Sequence, residues 1–338
     1  MRLVRAPRPE SGYAPILDAA RLEAARTLHT RFASAHLRET PVVRAAELDA
    51  RADATGKTRV WLVLECMQIT GSFKVRGALL AMANLAAKKT DVVAASAGNH
   101  GAAVAFAAKL LGVPTKVVVP ASAPKVKCAR IAQGAEVVAS ESSAYDDAED
   151  LAKRIAEESG AAFLSPYDDL DVIAGNGASL GFEIAKMLKK EPDHVIAPFG
   201  GGGLAVGLAC ALTKSKVWGV QSEASPVMAM SIEKAEAIER FVPTVATIAE
   251  GLEGGISKRA FDRAKRSVAG AVVVDEDAIE AAMQFALHDL GLVLEGSAAA
   301  ALAPVLAGLP KEMCGGDVAV VLTGRNTDRI AASSGRPS

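Results

Sequence analysis

The 338-residue sequence predicts an α/β fold made of two open, doubly wound domains. Short apolar runs at 60–65, 92–95 and 194–198 have the length of buried strands, and each is followed by a segment with the length and composition of a helix. Buried strands that alternate with helices indicate parallel pairing, with both faces of each sheet covered. In such sheets ligands bind beyond the carboxyl ends of the strands, on the loops that lead into helices.

The same signals, taken in chain order, define the other elements. A helix is predicted over 72–87 because Ser72 offers an N-cap, and a strand over 116–119 and a helix over 124–133 because Pro120 and Gly134 end them. The remaining predicted strands are 135–139, 216–221 and 318–322. The remaining predicted helices are 98–111, 148–159, 278–289, 297–306 and one that follows a glycine run and extends to about 213. Residues 1–15 are predicted to form an arm and 333–338 a frayed tail.

Composition and charge exclude several function classes. Half of the residues are hydrophobic, and 38 Lys plus Arg nearly balance 39 Asp plus Glu, for a net charge of −1. That balance argues against a nucleic-acid partner and against a polybasic membrane anchor. The sequence has no apolar run of membrane-spanning length and no signal-peptide pattern, so neither a membrane span nor secretion is expected. The cysteines lie far apart without C-x-x-C spacing, which argues against disulfides and zinc and favours a reducing cytoplasm: Cys66, Cys128, Cys210 and Cys314.

The motif ITGSFKVRGA (69–78) places Lys74 in the first turn of a predicted helix. A lysine there opposes the helix dipole, which favours anions at that end. Burial and the dipole both lower an ammonium pKa, and a lowered pKa is what a Schiff-base lysine needs. The alternative is a solvated surface lysine beside Arg76.

The motif FGGGGL (199–204) lies between a predicted strand and a predicted helix. Consecutive glycines allow backbone N–H groups to surround a phosphate at a helix N-terminus. The run lacks the G-K-[ST] of a Walker A loop and the spacing of a dinucleotide fingerprint. Phosphate binding is therefore favoured over a mobile glycine hinge, without support for a dinucleotide.

The motif SAGNHG (96–101) again lies at a strand-to-helix junction. Ser96, Asn99 and His100 place a hydroxyl, an amide and an imidazole at the start of a helix, where they suit a carboxylate or a phenolic oxygen. Ordinary capping by Ser96 and Asn99, and a satisfied loop histidine at His100, are the alternatives.

Two further motifs lie near predicted element boundaries. LTGRN (322–326) follows the last strand and offers the neutral hydroxyl of Thr323. LEGSAAAA (294–301) places Glu295 before a helix of small residues, where capping is the usual reason for such a residue.

Together and in this order, these motifs closely resemble the fold-type II pyridoxal-phosphate enzymes, and more narrowly the serine/threonine dehydratase and serine racemase group. The set S-F-K-x-R-G-A, S-x-G-N-H and G-G-G-G is highly specific, and ETPVVRA, YDDLDVIAGNGASLGFEI and TIAEGL are also similar to family segments. The resemblance extends from about Thr40 to about Asp328. It implies a tryptophan synthase β-like fold, with a large cofactor-binding domain (1–84 and 166–338) and a small inserted domain (85–165) that closes over the substrate.

The resemblance implies a role for each motif residue. Lys74 would form a Schiff base with pyridoxal 5′-phosphate and act as the catalytic base, and Phe73 would pack near the ring. Asn99 would donate to the 3′-oxygen of the cofactor, Thr323 would face the pyridine nitrogen and Glu295 would sit close to the ring. The phosphate would be held by Gly200, Gly201, Gly202, Gly203 and the amide of Leu204. The substrate carboxylate would be held by the loop that contains Ser96, Asn99 and His100.

The implied reaction is β-elimination of water from a serine- or threonine-like β-hydroxy amino acid, which yields a 2-oxo acid and ammonia. The cofactor would make the substrate Cα–H acidic, and Lys74 could then abstract that proton. A neutral hydroxyl at the pyridine nitrogen leaves the carbanion less stabilised than an aspartate would, which favours prompt elimination.

Departures from the family pattern bear on the reaction, the metal and the substrate to be expected. Ala97 stands where serine racemases carry a second acid/base serine, so racemisation is less favoured. Glu223 matches part of the family's cation site but no Asp follows it, so no metal is expected. Two further departures leave the identity and the configuration of the substrate open. The family has E-P-x-G-A where this chain has E-G-S-A-A at 295–299, and it commonly has Gly where this chain has Arg325. The alternatives are a racemase, a β-replacement enzyme, and a non-catalytic cofactor-binding protein, which an intact Lys74 disfavours.

The resemblance also implies a homodimer that acts on a small amino acid, with no nucleic-acid or membrane partner. No regulatory domain like that of the feedback-inhibited dehydratases is expected after the catalytic region. This suggests a catabolic or specialised enzyme in the cytoplasm.

Overall fold

The computed structural model describes residues 1–7, 15–243 and 245–327. Its strands are β1 Arg2–Arg5, β2 Val42–Arg44, β3 Thr58–Val63, β4 Val92–Ala95, β5 Thr115–Val119, β6 Glu136–Ala139, β7 Ala162–Phe163, β8 His194–Pro198, β9 Lys216–Ser222, β10 Gly270–Val274 and β11 Gly316–Val321. Its α-helices are α1 Ala19–Arg26, α2 Leu28–His36, α3 Asp49–Ala52, α4 Lys74–Ala87, α5 Asn99–Leu111, α6 Lys125–Ile131, α7 Tyr145–Ser159, α8 Leu170–Ile173, α9 Ser179–Leu188, α10 Gly203–Ala211, α11 Val227–Lys234, α12 Lys258–Ser267, α13 Glu276–His288 and α14 Gly296–Ala307. A π-helical stretch, Ala174–Ala178, joins α8 to α9.

The strands form two sheets. The larger has the order β1-β10-β9-β8-β11-β3-β2, in which the five inner strands are parallel and the edge strands β1 and β2 are antiparallel to their neighbours. The smaller has the order β6-β5-β4-β7 and is parallel throughout. The predicted α/β class with doubly wound sheets is confirmed. Every strand of the smaller sheet lies within 92–163, which supports the proposed inserted domain, 85–165, within 1–84 and 166–338.

The strand order places a switch point in each sheet. In the larger sheet, β8, β9 and β10 progress to one side, whereas β11 and β3 lie on the other side of β8. In the smaller sheet, β5 and β6 lie on one side of β4, and β7 lies on the other. The loops that follow β8 and β11, and those that follow β4 and β7, therefore diverge and leave a crevice where α/β folds bind ligands.

The elements predicted from the sequence agree with the structure to within a few residues at their ends, and β4 and β8 match. Four strands were not predicted: β1, β2, β7 and β10. The predicted arm is wrong at Arg2–Arg5, which pair with β10 as an edge strand. Residues 8–14 of that arm and the predicted tail at 333–338 lie outside the described residues.

Candidate active site

The candidate site lies where the switch points of the two sheets meet. From the larger sheet come the start of α4, the glycine loop 200–203 after β8, and Thr323 after β11. From the smaller sheet come the start of α5 after β4 and the segment 164–167 after β7. The two groups are in contact, because the Lys74 Nζ donates a hydrogen bond of 3.1 Å to the Pro166 carbonyl.

The loop after β11 fixes the start of α4. The Phe73 N–H donates to the Thr323 carbonyl at 3.0 Å, and Ser72 forms an isolated bridge with Gly324. The helix therefore begins at Lys74, after an N-cap residue, Phe73, whose side chain makes no capping bond. The predicted Ser72 cap is wrong, because pairing with Gly324 uses the backbone there and leaves the Ser72 hydroxyl buried without a hydrogen-bond partner in the described part of the chain.

The Lys74 ammonium lies in a poorly solvated position. Its Nζ is 5.1 Å from the centre of the Phe73 ring. Loss of solvation lowers the pKa of Lys74 to about 8, although the nearby Glu295 carboxylate acts in the opposite direction. A larger fraction of this amine than of an ordinary lysine is therefore uncharged near neutral pH, as nucleophilic or basic chemistry requires.

Two residues further along α4, Arg76 lies at the centre of a buried ionic cluster. Its Nε donates to Glu65 at 2.8 Å, and its Nη1 and Nη2 donate to the two oxygens of Glu183 at 2.9 and 2.7 Å. Ser179 and Thr40 accept further bonds from the guanidinium. This Arg76 cluster (Arg76, Glu65, Glu183, Ser179 and Thr40) connects the first turn of α4 to the segment before β2, the segment after β3, and α9, and so holds the helix that carries Lys74 in place.

On the other side of Lys74, Glu295 and Asn99 are paired. The Asn99 Nδ2 lies 2.9 Å from both carboxylate oxygens of Glu295. A Cβ on Gly324 would overlap that carboxylate, so a side chain after Thr323 would displace Glu295 from its present position. Burial raises the pKa of Glu295 to about 7, against the opposing effects of the Asn99 bond, the Asn326 N–H and the Lys74 charge. Glu295 therefore changes charge near neutral pH.

The glycine loop needs glycine for steric reasons. A Cβ on Gly201 would overlap the Tyr167 ring, and a Cβ on Gly203 would lie 3.1 Å from the Tyr167 backbone. Gly202 has a φ of +87° and is the N-cap of α10. The loop thus reaches the N-terminus of a nine-residue helix while packed against Tyr167, which follows Pro166 and so lies next to the Lys74 amine.

In the loop after β4, the side chains of Ser96 and His100 both make hydrogen bonds within the chain. The Ser96 Oγ accepts a hydrogen bond from the Gly98 N–H at 3.0 Å, a bond within the loop; Gly98 is the N-cap of α5, which has no side-chain capping bond. His100 is buried, and its Nε2 lies 3.0 Å from the Leu164 carbonyl, so that nitrogen carries the proton. Burial lowers the pKa of His100 to about 3, with a smaller contribution from Lys74. The neutral ring offers only an acceptor, Nδ1, so this placement does not provide the donor that a substrate carboxylate needs.

The structure brings most predicted site residues together. Lys74, Phe73, Thr323, Asn99 and Glu295 form one connected group. The glycine loop, with Leu204 at its end, joins that group through Tyr167. Among the residues described, no three His, Cys, Asp or Glu side chains are arranged to hold a metal ion. None of the described helices is long and apolar enough to span a bilayer.

Three side chains at the site carried no predicted role: Tyr167, Asn326 and Arg130. Tyr167 and Asn326 lie in segments that the sequence singles out, YDDLDV and LTGRN, so a signal was present. Arg130 lies on α6, and its Nη1 donates to the Asn326 Oδ1 at 2.9 Å. Only the folded structure places Arg130 near the site.

Comparison with known proteins agrees with this geometry. The model of a family described as pyridoxal-phosphate dependent enzyme matches residues 33–324. An L-threonine ammonia-lyase of Thermotoga maritima is 39% identical over 280 residues, which cover 80% of this chain and 67% of that protein. A catabolic L-threonine dehydratase of Staphylococcus aureus is 34% identical over 307 residues, 88% of this chain and 86% of that protein. The structure of maize serine racemase superimposes with a TM-score of 0.80 at 29% identity, over 91% of this chain and 94% of that one.

Proposed function

This chain belongs to the family of pyridoxal-phosphate dependent enzymes, and from that premise we propose that it is an ammonia-lyase for a serine- or threonine-like β-hydroxy amino acid. The reaction removes water across the Cα–Cβ bond, and later addition of water releases a 2-oxo acid and ammonia, so that the atoms balance. The observation that carries the proposal is the poorly solvated Lys74 amine, which lies between the switch points of the two sheets. The relatives that are L-threonine ammonia-lyases and dehydratases support the choice of reaction.

The residues of the site fit pyridoxal 5′-phosphate. Its phosphate requires backbone donors without side chains in the way, and the loop 200–203 supplies glycines ahead of a helix N-terminus. Its aldehyde requires an amine that loses its proton readily, and Lys74 has a lowered pKa. We propose that Gly200, Gly201, Gly202, Gly203 and Leu204 hold the phosphate, that Asn99 donates to the ring oxygen, and that Thr323 faces the ring nitrogen. Phe73 and Glu295 would lie beside the ring.

Lys74 provides the base. When bound, the cofactor withdraws electrons from the substrate Cα and so makes its C–H bond acidic. The Lys74 Nζ can then hold the departing proton, because a pKa of about 8 leaves part of the amine uncharged near neutral pH. The Pro166 carbonyl orients that amine by accepting its hydrogen bond.

Glu295 allows the charge of the cleft to adjust as the Lys74 proton comes and goes. The pKa values of Lys74 and Glu295, about 8 and about 7, lie close together. Burial narrows the gap between the two pKa values, so the ammonium–carboxylate pair and the amine–carboxylic acid pair differ less in free energy here than they would in water.

Binding of the substrate carboxylate is assigned to the loop after β4. We propose that the backbone N–H groups of Ala97, Asn99 and His100 supply the donors. The N–H groups of Ser96 and Gly98 already donate to the Val118 carbonyl and the Ser96 hydroxyl, and the His100 imidazole is engaged with Leu164. Homodimerisation and a cytoplasmic location are further proposals that rest on the resemblance to the family.

Racemisation is the second candidate, because a serine racemase is among the similar structures. Racemisation requires an acid/base group on each face of the substrate Cα. By resemblance to the family, serine racemases usually carry an acid/base serine at the position of Ala97. This chain therefore lacks, at that position, the acid/base group that would serve the second face of the substrate. Elimination requires only the Lys74 face for Cα proton removal.

The test is a panel of β-hydroxy amino acids, in D and L form, incubated with the cofactor-loaded enzyme. Equal amounts of ammonia and 2-oxo acid from one or more members are expected, and none from a Lys74→Met variant. Interconversion of D and L forms without ammonia would instead identify a racemase. Cofactor binding without any product across the panel would contradict the proposal and identify a binding protein.

A further inference from the structure

The side-chain amide of Asn326 joins three other parts of the site to the loop after β11. Its Oδ1 accepts from the Arg130 Nη1 at 2.9 Å, and its Nδ2 donates to the Thr70 carbonyl at 2.9 Å and to the Asn99 Oδ1 at 2.6 Å. A Cβ on Gly71 would lie 2.5 Å from the Asn326 Oδ1, so the absence of a side chain at Gly71 makes room for this amide. The contacts come from α6, α5 and the turn before α4.

The partners of Asn326 determine which way its amide points. A guanidinium only donates hydrogen bonds, so Arg130 requires an oxygen opposite it. A backbone carbonyl only accepts, so Thr70 requires the NH2 group. Arg130 and Thr70 thus require the same orientation of the Asn326 amide. In that orientation the NH2 group of Asn326 faces the Asn99 oxygen. It follows that the NH2 group of Asn99 points the other way, toward Glu295 and the cleft.

We propose that Asn326 is a positioning residue that sets the side-chain amide of Asn99 with its NH2 group toward the bound cofactor. The inference rests on the proposed function, in which Asn99 donates to the ring oxygen.

Glu295 does not fix the Asn99 amide by itself. As a carboxylate it accepts from the Asn99 NH2 group, but as a carboxylic acid it can donate to the Asn99 oxygen instead. Since the pKa of Glu295 is raised to about 7, both forms are present near neutral pH. The side-chain amide of Asn326 bonds to a guanidinium, a backbone carbonyl and the Asn99 oxygen. None of these bonds involves Glu295, so the amide keeps the same orientation in both forms of Glu295.

The test compares Asn326→Asp with Asn326→Ala in the full-length protein. The dissociation constant of pyridoxal 5′-phosphate is measured by titration of the cofactor-free protein, together with the pH at which the visible absorbance of the bound cofactor changes. Asn326→Asp keeps the volume and the acceptor for Arg130 but presents an acceptor to Asn99, so Asn99 turns its NH2 group away from the cleft. We expect the dissociation constant to rise about tenfold for Asn326→Asp and less for Asn326→Ala.

The absorbance transition is expected to move to higher pH in Asn326→Asp, because the ring oxygen loses its donor and its anionic form is less stabilised. In an Asn99→Ala background, Asn326→Asp should add nothing to either readout. A milder effect for Asn326→Asp than for Asn326→Ala, or an undiminished effect without Asn99, would show that the residue only joins the segments together. Failure of the unaltered protein to bind the cofactor would overturn the proposed function instead.

Discussion

Lys74 and Arg76 are two cations, two residues apart on one helix, with opposite surroundings. The Arg76 guanidinium is fully buried and bonded to two carboxylates, Glu65 and Glu183. The Lys74 amine is desolvated too, yet within the described chain it donates its hydrogen bond to a carbonyl. The same helix turn therefore presents a permanent ion on one side and an adjustable one on the other.

The surrounding groups, more than burial, decide what each cation can do. The two carboxylates raise the pKa of Arg76, and its charge lowers the pKa of Glu183 despite burial. Arg76 and Glu183 therefore stay charged, which suits a structural role. In the cleft, burial lowers the pKa of Lys74 and raises that of Glu295, so both groups change charge near neutral pH. Such displaced pKa values are typical of catalytic groups.

The same substitution at both positions tests this contrast and should give the largest effects. Arg76→Met leaves two carboxylates buried without their cation, and we expect the free energy of unfolding to fall by about 3–5 kcal/mol. Lys74→Met should abolish turnover entirely but change the free energy of unfolding of the cofactor-free protein by no more than about 1 kcal/mol. Urea denaturation and product assays measure the two quantities.

The control for the Arg76 variant is Arg154→Met, at an exposed position on α7, which should leave stability nearly unchanged. An equal fall in the free energy of unfolding for Lys74→Met and Arg76→Met would contradict the assignment of a structural role to Arg76 and a catalytic role to Lys74.

A second prediction concerns the glycine loop and should have an intermediate effect. Gly201→Ala would force a Cβ into the Tyr167 ring, and the adjacent contacts of Gly203 and Pro166 limit how far Tyr167 can retreat. The dissociation constant of pyridoxal 5′-phosphate is expected to rise at least about tenfold, as equilibrium titration would show. Adding Tyr167→Ala should restore part of the affinity. Unchanged binding in the Gly201→Ala variant would mean that this loop does not hold the phosphate.

A third prediction concerns pH and should have the smallest effect. Capture of the cofactor requires the uncharged Lys74 amine, so its rate should rise with pH, with a midpoint near pH 8. The Glu295 carboxylate raises the pKa of Lys74, so Glu295→Gln should move that midpoint to lower pH, by up to about 1 unit. The rate is followed by absorbance after mixing cofactor-free protein with cofactor. Glu280→Gln, at an exposed position on α13, is the control, and an upward shift for Glu295→Gln would reverse the assigned electrostatics.

Several features of the fold could be predicted because their signals are local. The apolar runs of β4 and β8 and the glycine loop after β8 are continuous in sequence, and they lie where predicted. β10 carries a comparable run, GAVVV, which the prediction overlooked. β7 has only two residues, too few for a strand pattern in the sequence, and it is defined by its pairing with β4.

Features that depend on distant contacts could not be predicted. Arg76 meets Glu183, 107 residues away, and His100 meets Leu164, 64 residues away. Ser72 looked like an N-cap because its sequence neighbours favour one, but pairing with Gly324 decided the backbone there. The residue types at the site could thus be identified from the sequence, whereas their protonation and orientation follow from contacts that only the folded chain provides.

Reduction of the cofactor-loaded protein with borohydride, followed by peptide mapping, tests the central claim most directly. The reduced cofactor should be found on the peptide that contains Lys74, and on no other lysine-containing peptide. An unlabelled Lys74 peptide from protein that still binds pyridoxal 5′-phosphate would contradict the account.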